Sequence, residues 1–395
     1  MFDAKDMALR LNDIPVYSGY PAEIPLDDPQ ALASLPILTK AQLNGQFPMM
    51  WMTPALRAAI AADEVEYAST SGTSGDRLQI VRERNWWQSE YRRTYAVHPE
   101  LALMDPAQTQ KAVLTTSVCS SAVCWRDNPT YDQRIIGKTL HLNTAPDPNR
   151  WSAADVARIV DEIDRWQPAY LDMHGGYGAI LARKAAAFGI APPRHRPRVL
   201  TVSYDFASSA ARRQVESFFG AKTHDLFGAT EFGYAFVQTD DGFKPVADSS
   251  VIELLPVAGR PDLRRLVITT SKNRHMPLVR YETGDLLAVD ADAPDRPIAT
   301  AGRLKDCARD DDGGLVTPRD VDRALEATGA APAQFQMRWN ATSVELLAVS
   351  DPATDPAPWE QAVRGLMGNG RATTVRCVTE IAPEGSGKFA AIKHV

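Results

Sequence analysis

Apolar residues along this chain fall into short groups with two different spacings. Between Ala153 and Trp166 they recur every three or four residues, which predicts an amphipathic helix. The segments Tyr177–Phe188 and Ser208–Phe219 are also helical in pattern, and each is followed by a glycine that can end a helix. Short apolar runs between these helices predict buried strands at Lys111–Ser117, Arg198–Val202 and Ala221–Phe227. This alternation predicts an α/β fold with layered sheets.

The pattern changes in the last third of the chain. Strand-like runs follow one another at 251–255, 264–270 and 286–289. The segment Gly302–Asp306 lies between a turn-rich stretch and the polar run DDDGG at 310–314, so it is the best candidate for a boundary. We therefore expect a large N-terminal α/β domain, a hinge and a small mobile C-terminal α+β lid domain, at residues 1–302, 303–306 and 307–395.

Composition narrows the class of protein. The 395 residues are 44% apolar and 23% charged, which is ordinary for a globular protein, and the net charge of −6 disfavours nucleic acid as a partner. No run of 18 apolar residues predicts a membrane span, and the N-terminus does not resemble a secretory signal. Four cysteines are too few for a disulfide framework, so we expect a cytoplasmic location.

The segment Tyr67–Arg77 reads YASTSGTSGDR and is rich in glycine and small hydroxyl residues. Such a loop lets backbone N–H groups and hydroxyls approach a polyphosphate closely. It lacks the GxxxxGK[ST] pattern of a Walker loop. The alternative interpretation is a flexible surface loop.

Two further segments place an acidic residue beside a glycine. Asp225–Gly233 reads DLFGATEFG, where Thr230 offers a hydroxyl and Glu231 a carboxylate suited to Mg²⁺. The alternative is that these two residues begin a helix. Arg280–Asp285 reads RYETGD, and its terminal carboxylate could accept two hydrogen bonds from a ribose diol. The alternative there is a β-turn with a solvated aspartate.

The last two segments lie in the proposed hinge and near the C-terminus. Gly302–Asp306 reads GRLKD, and Gly385–Phe389 reads GSGKF. A lysine in such a glycine-serine turn is usually solvated. A lysine that must enter a closed site would need the same flexible mounting.

The order of these segments resembles the successive motifs of the adenylate-forming superfamily, which includes acyl- and aryl-CoA ligases, nonribosomal peptide adenylation domains and luciferases. The resemblance spans residues 67–388. The length of the chain and the segment LPILTKAQL at Leu35–Leu43 look more like the phenylacetate-CoA ligase branch.

The resemblance implies a role for each matched residue. The phosphate loop would comprise Thr70, Ser71, Gly72, Thr73, Ser74 and Gly75. The remaining nucleotide contacts would come from Tyr204, Asp205, Phe227, Gly228, Asp285 and Arg303. The catalytic residues would be Thr230 at the α-phosphate, Glu231 as the Mg²⁺ ligand and Lys388 between the acyl carboxylate and the α-phosphate. Asp306 would be the hinge about which the lid rotates.

This sequence departs from the superfamily pattern in three places. Asp76 and Arg77 stand where the phosphate loop often continues with Lys and Pro. Phe227 stands where the adenine-stacking residue is more often Tyr. The segment Ser203–Phe206 replaces a Gly-Gly-Glu or similar sequence, which puts the shape of the nearby acyl pocket in doubt.

The acyl pocket itself has weaker candidates. His174, Gly175 and Tyr177 lie where the superfamily often lines that pocket, although His174 could equally cap or pack against a helix. Phe206 is a further candidate, and Ser117, Cys124 and Trp125 are weaker ones.

Zinc is an alternative for the cysteines. Cys119 and Cys124, with His98 or His141, could bind Zn²⁺, but their spacing is not that of a zinc ribbon, and packed thiols are the other interpretation.

The resemblance implies an enzyme that forms an acyl-AMP from ATP, Mg²⁺ and a carboxylic acid, and then passes the acyl group to coenzyme A. The branch implies an aryl or arylacetic acid. Two alternatives stay open: delivery to a carrier protein or a nitrogen nucleophile, and a catalytically silent nucleotide-binding protein. A homodimer is also an expectation, because the aromatic tract Trp86, Trp87, Tyr91 and Tyr95 suits either a core or a dimer interface.

Overall fold

The computed structural model describes residues 8–11, 13–21, 23–25, 28–45, 47–70, 77–117, 129–240, 242–246 and 250–395. Within these residues no helix is both long and apolar enough to cross a membrane. The helices of this part of the chain are α1 Pro29–Ser34, α2 Lys40–Asn44, α3 Pro54–Ala61, α4 Trp86–Val97, α5 Pro99–Ala102, α6 Ala153–Trp166, α7 Gly175–Ala187, α8 Ser209–Phe219, α9 Pro318–Glu326 and α10 Ala357–Met367.

The strands form sheets of different sizes. Three are two-stranded: β1 Ala8–Arg10 with β2 Glu23–Pro25, β3 Val65–Ser69 with β4 Gln79–Glu83, and β17 Ala308–Arg309 with β18 Leu315–Val316. The largest has eight strands: β5 Lys111–Leu114, β6 Ile135–Ile136, β7 Thr139–His141, β8 Tyr170–His174, β9 Val199–Ser203, β10 Thr223–Ala229, β11 Gly233–Thr239 and β12 Gly242–Pro245. Its spatial order is β12-β11-β10-β9-β8-β5-β7-β6.

The centre of the large sheet is parallel, because β7, β5, β8, β9 and β10 pair in the same direction. Helix α7 connects β8 to β9 and helix α8 connects β9 to β10, as parallel pairing requires. These central strands are mostly apolar, and β5, β8 and β9 are buried at every position. The carboxyl ends of β5, β8, β9 and β10 therefore meet at one edge of the sheet, where α/β proteins bind ligands.

A second, antiparallel sheet lies beside the first. Its strands are β13 Val251–Val257, β14 Arg260–Thr270, β15 Leu278–Val289 and β16 Pro297–Arg303, in that order. Its apolar face shares one core with the N-terminal segments and with β11, since Trp51, Phe236, Ile268 and Tyr281 belong to the same buried cluster.

The C-terminal domain has its own sheet and core. The strands β19 Gln334–Trp339, β20 Ser343–Val349, β21 Ala372–Val378 and β22 Ile392–His394 lie in the order β21-β20-β19-β22. One face is covered by α9 and α10, whose Val321, Leu325, Trp359 and Val363 are buried with the strand residues. The expected large α/β domain with layered sheets and small α+β domain are both confirmed.

Some helix ends agree with the predictions because residues next to them in sequence determine where the helix begins or ends. Helix α6 has the predicted bounds and begins with a capping box, because Ser152 and Asp155 cap each other's backbone N–H groups. Helix α8 begins after Ser208, and Gly220 ends it in a left-handed conformation with φ +65°. The predicted boundary segment Gly302–Asp306 begins with the last two residues of β16 and continues as a single 3₁₀ turn, Leu304–Asp306.

Helix α9 of the C-terminal domain joins the start of helix α8 in the N-terminal domain. The Asp322 carboxylate accepts hydrogen bonds from the Ser209 backbone N–H at 3.1 Å and from the Ser209 hydroxyl at 2.7 Å. Burial raises the pKa of Asp322, and the hydrogen bonds from Ser209 oppose this rise. A few residues further along, Arg213 donates to both oxygens of Glu326 at 2.6 and 2.7 Å.

We predict that the buried contact, rather than the exposed ion pair, stabilises this domain interface. Asp322→Ala should lower the free energy of unfolding by about 1–2 kcal/mol, because it leaves an N–H group of a helix start without its acceptor. Asp322→Asn keeps an acceptor oxygen and should cost less. Glu326→Ala removes a half-exposed pair and should cost under about 1 kcal/mol. Urea unfolding of the three variants measures this order, and equal losses for all three would contradict it.

Candidate functional site

The site lies in the crevice at the carboxyl ends of the central strands. His174 ends β8, Tyr204 and Asp205 follow β9, and Thr230 and Glu231 follow β10. Strands β8, β9 and β10 are consecutive neighbours in the sheet, so these residues form one row along its edge. The topology therefore brings together three segments that are separated by at least 25 positions in sequence.

Glu231 lies in a turn between two strands. Because β10 pairs with β11 in an antiparallel hairpin, the alternative that Thr230 and Glu231 begin a helix is wrong. The Glu231 carboxylate is 8% exposed and accepts a hydrogen bond from the Tyr281 hydroxyl at 3.0 Å. Burial and the Glu231 carboxylate both raise the pKa of Tyr281, so Tyr281 remains a donor at neutral pH.

The turn before Glu231 is closely packed. A Cβ atom on Gly228 would overlap the backbone carbonyl of Gly233, so only glycine fits there. The Phe227 ring is half-buried and lies 6.2 to 6.4 Å from the rings of Phe232, Phe236 and Phe243. These contacts hold Phe227 on the edge of an aromatic cluster beside the crevice.

Asp285 and Arg303 come from the antiparallel sheet and face each other across β15 and β16. They are register partners, and the Arg303 guanidinium donates to the Asp285 carboxylate at 3.1 Å. The carboxylate raises the pKa of Arg303, so Arg303 keeps its positive charge. The alternative of a β-turn at RYETGD is wrong, because Asp285 lies inside strand β15, with Gly284 at φ +77° beside an irregularity in the pairing.

Lys388 reaches the crevice from the C-terminal domain. Its ammonium donates to the Tyr204 backbone carbonyl at 2.5 Å. Burial lowers the pKa of Lys388, and the carboxylate of Asp205 opposes this effect. Burial raises the pKa of Asp205, but the His174 imidazole and the Lys388 ammonium outweigh it, so the pKa is lower than usual.

Charged groups from five separate segments of the chain interact with one another in the crevice. Arg303 interacts with Asp285, Glu231, Asp306 and Asp205, and Lys388 interacts with Asp205, Arg303, Asp285 and Glu231. Burial raises the pKa of Asp306, which lies in the turn after Arg303. Four carboxylates thus lie near two cations in the crevice.

The residues proposed for the acyl pocket lie at the start of α7. His174 caps this helix, since its Nδ1 accepts the Gly176 N–H at 3.2 Å. The other nitrogen, Nε2, is buried 3.7 Å from the Asp205 carboxylate. Tyr177 is fully buried, and a Cβ atom on Gly175 would lie 2.6 Å from the Cβ atom of Ala207. Phe206 instead packs on the apolar cluster of the C-terminal domain.

The phosphate-loop prediction falls mostly outside the described residues, because Ser71, Gly72, Thr73, Ser74 and Gly75 are among those not described. Thr70 lies at the base of the β3–β4 hairpin. Its backbone N–H donates to the Leu78 carbonyl and its hydroxyl accepts the Leu78 N–H, both at 3.0 Å. These two bonds fix the start of the loop.

The zinc prediction cannot be placed either, since Cys119, Cys124 and Trp125 also lie outside the described residues. His98 is buried, and its ring lies edge-on to that of His224 at 4.7 Å. In the part of the chain that the structure describes, no three metal-ligating side chains cluster.

A buried polar network beneath the crevice has no counterpart in the sequence predictions. Asp172, in β8, is fully buried and accepts hydrogen bonds from the hydroxyls of Thr201, Ser203 and Tyr204 at 2.7, 2.8 and 3.0 Å. The ammonium of Lys111, in β5, lies 3.8 Å from this carboxylate. An aspartate and a lysine in otherwise apolar strands were the only sequence signals of this network.

The Asp172 network fixes the backbone that Lys388 contacts. Tyr204 has φ +75°, a left-handed conformation that is unusual for a residue with a side chain. Its hydroxyl bond to Asp172 holds the side chain beneath the crevice while its carbonyl accepts the Lys388 ammonium.

No family model matches this sequence, and no curated protein matches it significantly. Solved structures do match. The 2-hydroxyisobutyryl-CoA ligase in the postadenylation state, in complex with its acyl-AMP, has a TM-score of 0.71 at 16% identity over 97% of this chain and 86% of that one. The chain has the fold of the adenylate-forming ligases. The amide bond synthetase McbA from Marinactinospora thermotolerans is similar over 83% of this chain and 68% of its own, with a TM-score of 0.55 and 16% identity.

The same ligase has been solved in more than one state. Its thioesterification state, in complex with acyl-AMP and CoA, gives a TM-score of 0.56 at 17% identity, over 98% of this chain and 86% of that one. With nearly equal coverage, the TM-score is thus higher for the postadenylation state, at 0.71, than for the thioesterification state, at 0.56.

We predict that Asp172 holds the floor of the crevice together. Asp172→Ala should lower the free energy of unfolding by about 3–5 kcal/mol, because it leaves the Lys111 cation buried without its counter-charge. Thr201→Val removes one of the three hydroxyl donors and should cost about 1 kcal/mol. The double variant Asp172→Ala/Lys111→Met should recover part of the loss. Chemical unfolding measures all three, and an Asp172→Ala loss no larger than that of Thr201→Val would disprove the role of the ion pair.

Proposed function

We propose that this protein activates a carboxylic acid with ATP, forming an acyl-AMP and releasing pyrophosphate. One observation carries the proposal: Lys388, from a loop at the end of the C-terminal domain, enters the crevice that Asp205, Glu231, Asp285 and Arg303 line. The motifs that resemble the superfamily are dispersed over 300 residues of sequence, yet their charged side chains meet at one place.

The proposed reaction joins two anions. A carboxylate oxygen forms a bond to the α-phosphorus of ATP while the bond to the bridging oxygen breaks, and pyrophosphate leaves with that electron pair. The main barrier is repulsion between the carboxylate and the phosphates, so cations held in place lower it. The Lys388 ammonium would lie between the acyl carboxylate and the α-phosphate, and the Thr230 hydroxyl would donate to the α-phosphate.

The nucleotide would lie along the row of residues at the sheet edge. The Asp285 carboxylate, held by Arg303, would accept hydrogen bonds from the ribose hydroxyls. Phe227 would stack on adenine, with the backbone at Tyr204 and Asp205 along its edge and Gly228 admitting its close approach. The loop that begins at Thr70 would enclose the terminal phosphates.

The residues present fit a magnesium ion bound mainly by the substrate. Glu231 supplies one buried carboxylate, and the described residues offer no further cluster of ligands, so phosphate oxygens and water would complete the coordination. Mg²⁺ in nucleotide sites is typically held this way, by one or two carboxylates plus phosphates. When bound, the ion would neutralise phosphate charge.

For the second half-reaction we propose coenzyme A as the acceptor. Its thiol sulfur would attack the acyl carbon, and AMP would leave. We propose that residues 307–395 form a mobile lid that rotates about residues 303–306, with Asp306 as the pivot, and withdraws Lys388 before this step. The support is that the present structure has a higher TM-score with the postadenylation state of the CoA ligase, 0.71, than with its thioesterification state, 0.56.

We propose an aryl or arylacetic acid as the substrate, on the resemblance to the phenylacetate-CoA ligase branch, with His174, Gly175, Tyr177 and Phe206 around the acyl group. A second acceptor class deserves a parallel test, because one of the similar structures is an amide bond synthetase. In that case a nitrogen nucleophile would take the place of the thiol.

The test is pyrophosphate release across a panel of aromatic and aliphatic acids. Each acid is assayed alone, with coenzyme A, with an acyl carrier protein and with a panel of amines. Release that depends on one class of acid supports the proposal, and the product of the acceptor arms identifies the acceptor. ATP binding without release for any acid would show instead a silent nucleotide-binding protein.

We predict that Lys388 serves only the first half-reaction. Lys388→Ala should slow acyl-AMP formation by about two to three orders of magnitude, the scale of one lost electrostatic stabiliser. Given synthetic acyl-AMP, the same variant should transfer the acyl group at nearly the wild-type rate. Lys393→Ala is the matched control, since Lys393 is half-exposed and paired with Glu384. Equal loss of both half-reactions in folded Lys388→Ala would contradict the alternating lid.

We also predict an alkaline limit to adenylation that belongs to Lys388. Burial lowers its pKa from the usual 10.5, so the required ammonium is lost as the pH rises through this lower value. Adenylation should therefore decline at a pH below 10.5. Arginine does not deprotonate in proteins, so the residual activity of Lys388→Arg should lack this decline. Pyrophosphate release measured across alkaline pH checks the prediction, which fails if the decline persists in Lys388→Arg.

A further inference from the structure

The loop that carries Lys388 makes three contacts with the N-terminal domain, of which the lysine accounts for one. The carbonyl of Gly387 accepts a hydrogen bond from the Tyr177 hydroxyl at 2.9 Å. Gly387 has φ +77°, and a Cβ atom there would overlap the Thr116 hydroxyl. The Phe389 side chain makes the third contact, and it has no role in the chemistry proposed above.

Phe389 belongs to the core of the N-terminal domain although it lies in the C-terminal domain. It is 9% exposed and belongs to the same buried cluster as Met173, Tyr177 and Val202. Its ring lies 5.9 Å from the His174 ring and 6.0 Å from the Tyr177 ring. Gly176 permits this approach, because a Cβ atom at that position would lie 3.0 Å from the Phe389 ring.

Phe389 and Lys388 contact the carboxyl ends of two different strands. Phe389 covers His174 at the end of β8, whereas Lys388 contacts Tyr204 after β9. These strands are neighbours in the sheet. Phe389 contacts His174, a candidate residue of the acyl pocket, and is the neighbour of Lys388 in the chain, so we place the acyl group of an acid whose carboxylate meets Lys388 beside Phe389.

We infer that Phe389 is a specificity-determining residue, which forms the wall of the acyl pocket on the side of the C-terminal domain. This inference rests on the proposed function and deepens it. The acyl group fits against a wall that exists only when Lys388 is in the crevice. An acid that is too bulky holds Phe389 away from His174 and so holds Lys388 away from the carboxylate. The size of the acyl group and the assembly of the adenylation site are thereby coupled.

The test compares acid preference in the wild type, Phe389→Leu and Phe389→Ala. The panel runs from acetate to octanoate and includes benzoate and phenylacetate. Binding of each acid is measured by calorimetry, and pyrophosphate release is measured separately. Phe188→Ala is the matched control, because it is the same truncation at an exposed position just beyond the opposite end of α7.

Phe389→Ala should shift the preference between bulky and small acids by about 10-fold or more toward the bulky ones, the scale of a change in pocket size. Phe389→Leu should fall between it and the wild type, and Phe188→Ala should match the wild type. A folded Phe389→Ala with unchanged preference in binding and in turnover would overturn the inference, as would a wild type that binds no acid.

Binding and turnover together separate this inference from the proposed function. If acids bind with the expected shift in preference but no pyrophosphate is released, the inference about Phe389 is supported and the proposed adenylation is contradicted. If pyrophosphate is released with the same acid preference in every variant, the proposed adenylation is supported and the inference about Phe389 is contradicted.

Discussion

The crevice depends on how one buried negative charge is satisfied. Asp172 is fully buried in the central strand β8, where an isolated carboxylate would be strongly unfavourable. Three hydroxyls from the β9 segment and the Lys111 ammonium from β5 offset that cost. These bonds join the three central strands through side chains, in addition to their backbone pairing. They also fix Tyr204 in a left-handed conformation, from which its carbonyl meets the C-terminal domain.

The charged groups of the crevice are arranged differently from those of the buried Asp172 network, which forms the floor beneath it. Within the floor, the buried Asp172 carboxylate accepts three hydrogen bonds and lies 3.8 Å from the Lys111 ammonium. The crevice instead holds Asp205, Glu231, Asp285 and Asp306 around Arg303 and Lys388, with more negative than positive groups. The metal ion proposed to bind with the phosphates would add positive charge beside these carboxylates. The fixed Asp285–Arg303 pair and the entering Lys388 thus serve different purposes in the proposed reaction.

The two domains meet through contacts of different kinds. At α8 the contact is polar, with Asp322 capping the start of the helix and Arg213 paired with Glu326. At the terminal loop the contact is specific in shape, because Gly176 and Gly387 each leave room for a neighbour that a side chain would displace. A third contact is apolar, because Leu347, Val349, Ile381 and Phe389 of the C-terminal domain belong to the same buried cluster as the core of the N-terminal domain. The proposed rotation about Asp306 would have to expose part of this apolar surface and break the polar contacts.

The sequence by itself determined the elements whose cause is local. Apolar spacing and capping residues determined the bounds of α6, and Gly220 determined the end of α8. The apolar runs at Lys111–Ser117, Arg198–Val202 and Ala221–Phe227 predicted β5, β9 and β10, whereas β8, which carries Asp172, was not predicted. Pairing between distant segments was decided only by the tertiary structure. Thr230 and Glu231 could begin a helix on local grounds, but β11 pairs back on β10 and makes their segment a hairpin turn. Long-range sheet register likewise placed Asp285 opposite Arg303 inside a strand, and the docking of the terminal loop buried Phe389 beside His174, because such contacts depend on which surfaces meet and not on the residues alongside.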